Sequence, residues 1–200
     1  MTDVRNRPGA SKKLIFLLIA TLALATPCVY LWHVKSKYDR QWQISTAAGK
    51  GNLPEVKRLL AEGADINVTP TGWEEGSPSG FPSLILAAGE GHDEVVKFLL
   101  DHGAKTEVCV EDTPLLAAVI KGHYNITKML LEHGANPNVR GEGTPLLDAV
   151  DRGDIKTVAL LLKYGADPGM GLGDSTPLSD AQYYGDPKMI ALFSVYGAKK

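Results

Sequence analysis

Histidines and aspartates are the residues of this 200-residue chain best placed to do chemistry. Four of the five histidines form two pairs, His92 with His123 and His102 with His133, each 31 residues apart. Imidazoles brought together could ligate zinc or relay protons. A zinc site draws on a Cys/His/carboxylate cluster of characteristic spacing, and none occurs here. Asp148, Asp151, Asp154 and Asp180 are carboxylates without the acid and nucleophile partners that catalysis requires, so solvated helix faces account for them. No HExxH, GxSxG or phosphate-cradling glycine loop is present. Cys28 and Cys109 are the two cysteines, too few for an internal disulfide framework. The expectation is a protein that is not an enzyme, with no catalytic residue, no cofactor, no metal and no small-molecule substrate. The equal spacing of the histidine pairs carries a different message, that of repetition.

Gly-Ala returns at Gly63-Ala64, Gly103-Ala104, Gly134-Ala135, Gly165-Ala166 and Gly197-Ala198, in steps of 40, 31, 31 and 32 residues. A second ladder, Gly51, Gly91, Gly122, Gly153 and Gly185, runs 12 residues ahead of it with the same steps. Two ladders moving together define a repeat array, in which each unit buries its apolar face only by stacking on its neighbours.

Between the two glycines of a unit the apolar residues recur at helical spacing, as in Val95-Val96-Lys97-Phe98-Leu99-Leu100 and Ile126-Thr127-Lys128-Met129-Leu130-Leu131. The following glycine suits the left-handed residue at which helices stop. Upstream, Thr113-Pro114-Leu115, Thr144-Pro145-Leu146 and Thr176-Pro177-Leu178 place a hydroxyl at a helix cap and proline at the first helical position. A shorter helix starts there, its small residues Ala87-Ala88, Ala117-Ala118, Ala149 and Ala181 permitting close helix approach. Each unit is predicted to be turn, short helix, turn, longer helix.

The run Thr113-Pro114-Leu115-Leu116-Ala117-Ala118, then Gly122-His123, then Leu130-Leu131-Glu132-His133-Gly134-Ala135-Asn136-Pro137-Asn138, resembles the ankyrin repeat. The resemblance covers residues 41–200 in five copies, about 41–67, 81–107, 112–138, 143–168 and 175–200, with an insertion at 68–80. It implies an all-α fold, an ankyrin-repeat solenoid of about five helix-turn-helix repeats. The chain departs from the family where a histidine usually follows Thr-Pro-Leu: Leu116, Leu147 and Ser179 stand there, with Ile85 in the second copy. Copy one lacks Thr-Pro-Leu and copy five ends Met189-Ile190-Ala191-Leu192-Phe193-Ser194, as terminal repeats with one face in water are expected to.

The resemblance also implies a binding groove lined by turn tips and the first helix of each pair. On this chain that surface takes in Phe81, Glu90, Asp112, Ile120, Lys121, Asp151, Arg152, Ser175, Tyr183 and Tyr184. The long first step of the ladder adds the insertion VTPTGWEEGSPSG, which presents Trp73 beside Glu74 and Glu75. Insertions in such arrays map to loops, often on the binding side. Trp73 is either an interface anchor or a lid folded over copy one.

The first 40 residues are of another kind. A basic tail (1–13) with Arg5, Arg7, Lys12 and Lys13 precedes the uncharged stretch 14–32, LIFLLIATLALATPCVYLW, and a juxtamembrane linker (33–40) follows. As a helix the stretch would reach about 28 Å, close to the thickness of a bilayer core. Tyr30 and Trp32 suit an aromatic belt at its far end. A cleaved secretory signal ending at Ala23-Leu24-Ala25 is the competing reading, and would release a secreted repeat protein. The apolar run continues past that point through Cys28, Val29, Tyr30, Leu31 and Trp32, which favours an uncleaved single-pass transmembrane anchor. Lysine and arginine are slightly more numerous before the stretch, which orients the repeats to the non-cytosolic side, the periplasm if the cell is bacterial.

Residues 1–40 carry a net charge of +5 and residues 41–200 a net −7. A mildly acidic array disfavours nucleic acid, whose phosphates demand a basic surface. The expected function is a membrane-tethered scaffold that binds a protein partner. The alternative is an inhibitor or immunity-type protein blocking an enzyme or toxin outside the cytosol. Asn67-Val68-Thr69 and Asn125-Ile126-Thr127 match the N-glycosylation pattern, and both matches read as accidental.

Overall fold

The computed structural model describes residues 40–67, 81–107, 113–141, 143–173 and 175–197. The apolar stretch 14–32, the insertion 68–80 and both cysteines lie outside the described residues. The chain divides into two units, Met1–Arg40 and Gln41–Lys200. The second is built of helix pairs. Residues 40–49 are helical (α1) and are followed by α2 (Leu53–Ala61), α3 (Ser83–Gly89), α4 (Asp93–Asp101), α5 (Pro114–Lys121) and α6 (Tyr124–Glu132). Then come α7 (Pro145–Asp151), α8 (Ile155–Lys163), α9 (Pro177–Tyr184) and α10 (Pro187–Gly197). Among the described residues the sole β pairing is an isolated bridge between Leu172 and Ser175. No helix among them is long and apolar enough to cross a membrane.

The local chemistry accounts for the helix starts. Thr113, Thr144 and Thr176 sit in extended backbone and accept from the amides of Leu116, Leu147 and Ser179, with proline next in each case. In α9 the Ser179 hydroxyl accepts in return from the Thr176 amide at 2.8 Å, a complete capping box. Where the family histidine is missing, Leu116, Leu147 and Ile85 are buried in the core, so apolar packing takes its place. At the helix ends Gly63, Gly103, Gly134 and Gly165 have positive φ, as expected of a stop. The fifth member differs: α10 includes Gly197.

The pairs stack in two layers. α3, α5, α7 and α9 pack successively as an inner layer, and α2, α4, α6, α8 and α10 as an outer one. Small residues let the inner helices approach; a Cβ placed on Gly89 would touch the Ala117 methyl at 3.6 Å. One continuous core runs through the stack, with Leu99, Ile126, Leu130 and Leu161 fully buried between the layers. Each such side chain is worth roughly 2–3 kcal/mol when buried.

Two sets of polar contacts lock copy to copy. In the first, a side chain of one copy accepts from the backbone N–H after the next Gly-Ala. Asn67 accepts from Lys105 (2.8 Å), Glu107 from Asn136 (2.9 Å) and Asn138 from Asp167 (2.7 Å). The Gln41 amide makes the same contact with Asp65 inside copy one, at 2.9 Å. Asn67 and Asn138 also donate to the carbonyls of Gly103 and Gly165. Glu107 has no donor to offer. In the second set, His92 Nε2 donates to the Gly49 carbonyl at 2.9 Å and His123 Nε2 to the Gly89 carbonyl at 3.1 Å. Copy four has Asp154 at the corresponding position, and Arg152 reaches the equivalent carbonyl of Ile120 at 2.8 Å instead. These contacts account for the glycines at 51, 91 and 122, whereas Gly153 and Gly185 have open space around them and share only the positive φ. Gly91 adopts φ 82, and any Cβ on it would lie 2.5 Å from the His123 ring.

Candidate partner-binding site

The inner helices end in two adjacent stripes that run along the stack. Two residues before the middle glycine stand Gly49, Gly89, Ile120, Asp151 and Tyr183, and one residue before it Lys50, Glu90, Lys121, Arg152 and Tyr184. Six of the anticipated binding residues therefore lie together: Ile120, Lys121, Asp151, Arg152, Tyr183 and Tyr184, with Glu90 one copy further along. All seven are exposed. Each is held at the C-terminal end of a short helix whose other side packs into the core.

Side chains join the stripes across copies. Arg152 donates to the Ile120 carbonyl, so its guanidinium is both a structural brace and part of the surface. Tyr184 Oη donates to Asp151 Oδ1 at 3.3 Å. The Asp151 carboxylate beside the phenol is the main reason that the Tyr184 hydroxyl titrates above its ordinary value; partial desolvation, the hydrogen bond and Asp180 act in the same direction. Tyr184 thus remains a protonated donor at neutral pH. Tyr183 and Tyr184 meet edge to face with ring centroids 5.6 Å apart. Tyr183 is 86 % exposed and Tyr184 56 %, so neither covers the last helix pair.

The other anticipated residues fall elsewhere. Phe81 is half-buried at the opposite end of α3, apart from the stripes. Ser175 lies ahead of α9 and donates to Asp180 Oδ2 at 2.6 Å. Trp73, Glu74, Glu75 and Asp112 lie outside the described residues. The four paired histidines form no common site. His92 and His123 brace successive copies, while His102 and His133 each use Nδ1 to donate to a carbonyl four residues back, at 2.8 Å. Among the described residues no group of three or more His, Cys, Asp and Glu could hold a metal ion.

One residue acquires a role that its sequence position concealed. Asp148, on α7, stands where α3 and α5 carry Leu86 and Ala117, half-buried behind the stripe. Its Oδ2 has no hydrogen-bond partner. Burial, then the neighbouring Asp151, push its pKa up to about 6. The signal was partial: a carboxylate at a position that copies two and three fill with apolar side chains, though copy five carries Asp180 there.

A family model for ankyrin repeats in three copies matches residues 44–141 and 111–171, well over half of the chain. The chain belongs to the ankyrin repeat family. It is also similar to a mitochondrial disaggregase of Bos taurus, 38% identical over 82 residues, which are 41% of this chain and 11% of that protein. The chain thus matches only about a ninth of the length of that curated relative. Ankyrin repeats generally bind protein partners, and the stripes fall on the face that the family resemblance assigns to binding.

Proposed function

We propose that this chain is a membrane-tethered ankyrin module that captures a protein partner on the inner-helix surface of its C-terminal copies. The observation that carries the reading is the Tyr183–Tyr184 pair. Two large aromatic rings stay in water at the end of a stripe that also offers carboxylate, guanidinium and aliphatic groups, and aromatic residues of this kind are enriched in interfaces. The tether is supported by the uncharged stretch 14–32, its basic flank and the aromatic Tyr30 and Trp32. On this reading the repeats face the non-cytosolic side.

The test is capture of the partner from membranes by the intact chain. Tyr184→Ala and Tyr183→Ala should each weaken capture by roughly tenfold or more, as truncation of an interface anchor does. The circular-dichroism melt should move little, because the rings are exposed. Parallel losses of fold and capture would sink the surface assignment. Protease accessibility in intact cells tests the tether and its orientation separately.

A further inference from the structure

The outer helices of the last three copies hold a feature that the inner surface does not use. α6, α8 and the end of α10 enclose an open groove of about 530 Å³. Its lining combines the buried Leu160 and the half-buried Ala159 with the rings of Tyr124, Tyr164 and Tyr196. Lys128, Lys156 and Lys163 stand around it, against one acid, Glu132, which pairs with Lys128 at 3.7 Å.

The preceding seam shows what is missing. Between α4 and α6, Asn125 donates to Asp93 at 3.2 Å, and His133 approaches Asp101 at 4.0 Å. The corresponding positions between α6 and α8 are Tyr124 with Lys156, and Glu132 with Tyr164. Neither of these pairs is joined by a hydrogen bond, and the seam stays open. Charge changes at the same place. α8 and α10 contain Lys156, Lys163 and Lys188 and no acid, whereas the inner helices α7 and α9 carry Asp148, Asp151 and Asp180. Within the helical spans of the last two copies, lysines thus lie on the outer layer and aspartates on the inner, while Asp154 and Asp186 flank the starts of the outer helices and Arg152 ends α7.

We propose that this outer groove is a second binding site, for an acidic peptide segment with an apolar residue between its carboxylates. Lys156 and Lys163 are separated by about 10 Å along α8, at the rise of an α-helix. Three to four residues of extended chain span that distance at ~3.3 Å each. Carboxylates so placed meet the two ammonium groups while the residue between them enters the space above Leu160, flanked by tyrosine rings. A groove lined by rings suits a chain segment better than a planar lipid surface. The site is independent of the inner stripes and requires nothing of them.

The experiment uses the full chain in non-ionic detergent and a fluorescein-labelled hexapeptide with an aspartate and a glutamate on each side of a leucine-phenylalanine centre, read by fluorescence anisotropy. Saturable binding is expected, weakened about tenfold or more by K156E/K163E and severalfold by raising salt from about 50 to about 200 mM. Tyr184→Ala should leave it unchanged, which separates this site from the inner surface. K156Q/K163Q, which removes charge without reversing it, should weaken binding by an intermediate factor, and circular dichroism checks that both variants fold. No saturation up to about 1 mM peptide, or equal affinity in K156E/K163E, would overturn the proposal. So would equal loss in Tyr184→Ala, or binding to phosphatidylserine vesicles in place of the peptide.

Discussion

Asp148 shows how one carboxylate couples this array to pH. A Cβ on Gly143 would fall 2.8 Å from Asp148 Oδ2, so the bare glycine supplies the space that the carboxylate occupies. Its pKa of about 6 lies above the ordinary 3.8, because burial and then Asp151 disfavour the charged form. Between about pH 4 and pH 6 the folded chain holds a proton that the unfolded chain has released. Stability from this group is therefore complete below pH 4 and lost as pH rises through 6. Asp148→Asn should raise stability at pH 7 by about 1 kcal/mol, a figure discounted for partial solvent screening, and flatten the slope between pH 4 and 6. Melts at pH 4, 5, 6 and 7 check this; parallel profiles for the two proteins would refute it. The sequence reading of Asp148 as a solvated face went astray because its cover comes from the turn before α7, which helical periodicity does not reveal. Tyr183 and Tyr184 stay exposed because they fall past the apolar positions of α9, where the two rings meet each other edge to face.

At the scale of the element, helix starts and stops were legible because their causes are local. Thr-Pro-Leu is a cap followed by a compatible proline, and the first four Gly-Ala pairs each mark a nearby backbone reversal. The contacts between copies were not legible in this way. Asn67 acts on Lys105 and Asn138 on Asp167, 38 and 29 residues ahead, and no short-range pattern announces such a partner. Asn67 and Asn125, which fit a glycosylation pattern, turn out to hold copies together. The weak member of the series is Glu107, which accepts from Asn136 but cannot donate to the Gly134 carbonyl. Glu107→Asn should complete the pair as Asn67 and Asn138 do, and stabilise the array by about 0.5–1 kcal/mol, near the net worth of one hydrogen bond. A shift of the urea midpoint at constant slope is the readout. An unchanged or lower midpoint would mean that the two asparagines do not stabilise by this route.

The unit Gln41–Lys200 is a stack whose burial falls off toward its last copy. α3, α5 and α7 each bury five residues, whereas α9 buries only Pro177 and Ala181. Val195 on α10 is 58 % exposed. Native-state hydrogen exchange should therefore show amides of α9 and α10 opening first, with α5 to α8 protected close to the global limit. Uniform protection across all copies would contradict this. Five copies and their register could be read from the two glycine ladders, while the sorting of charge between layers emerged only once each helix had an inner or outer place. The cross-copy contacts also decide what a portable piece of this protein is. The acceptor for the turns of copies two to four belongs to the copy before, and the His123 ring rests on a glycine of the copy before it as well. A copy cut out at its own edges and spliced into another array would arrive without its acceptor and with its histidine facing a stranger. What can be exchanged intact is the junction, half of one copy joined to half of the next.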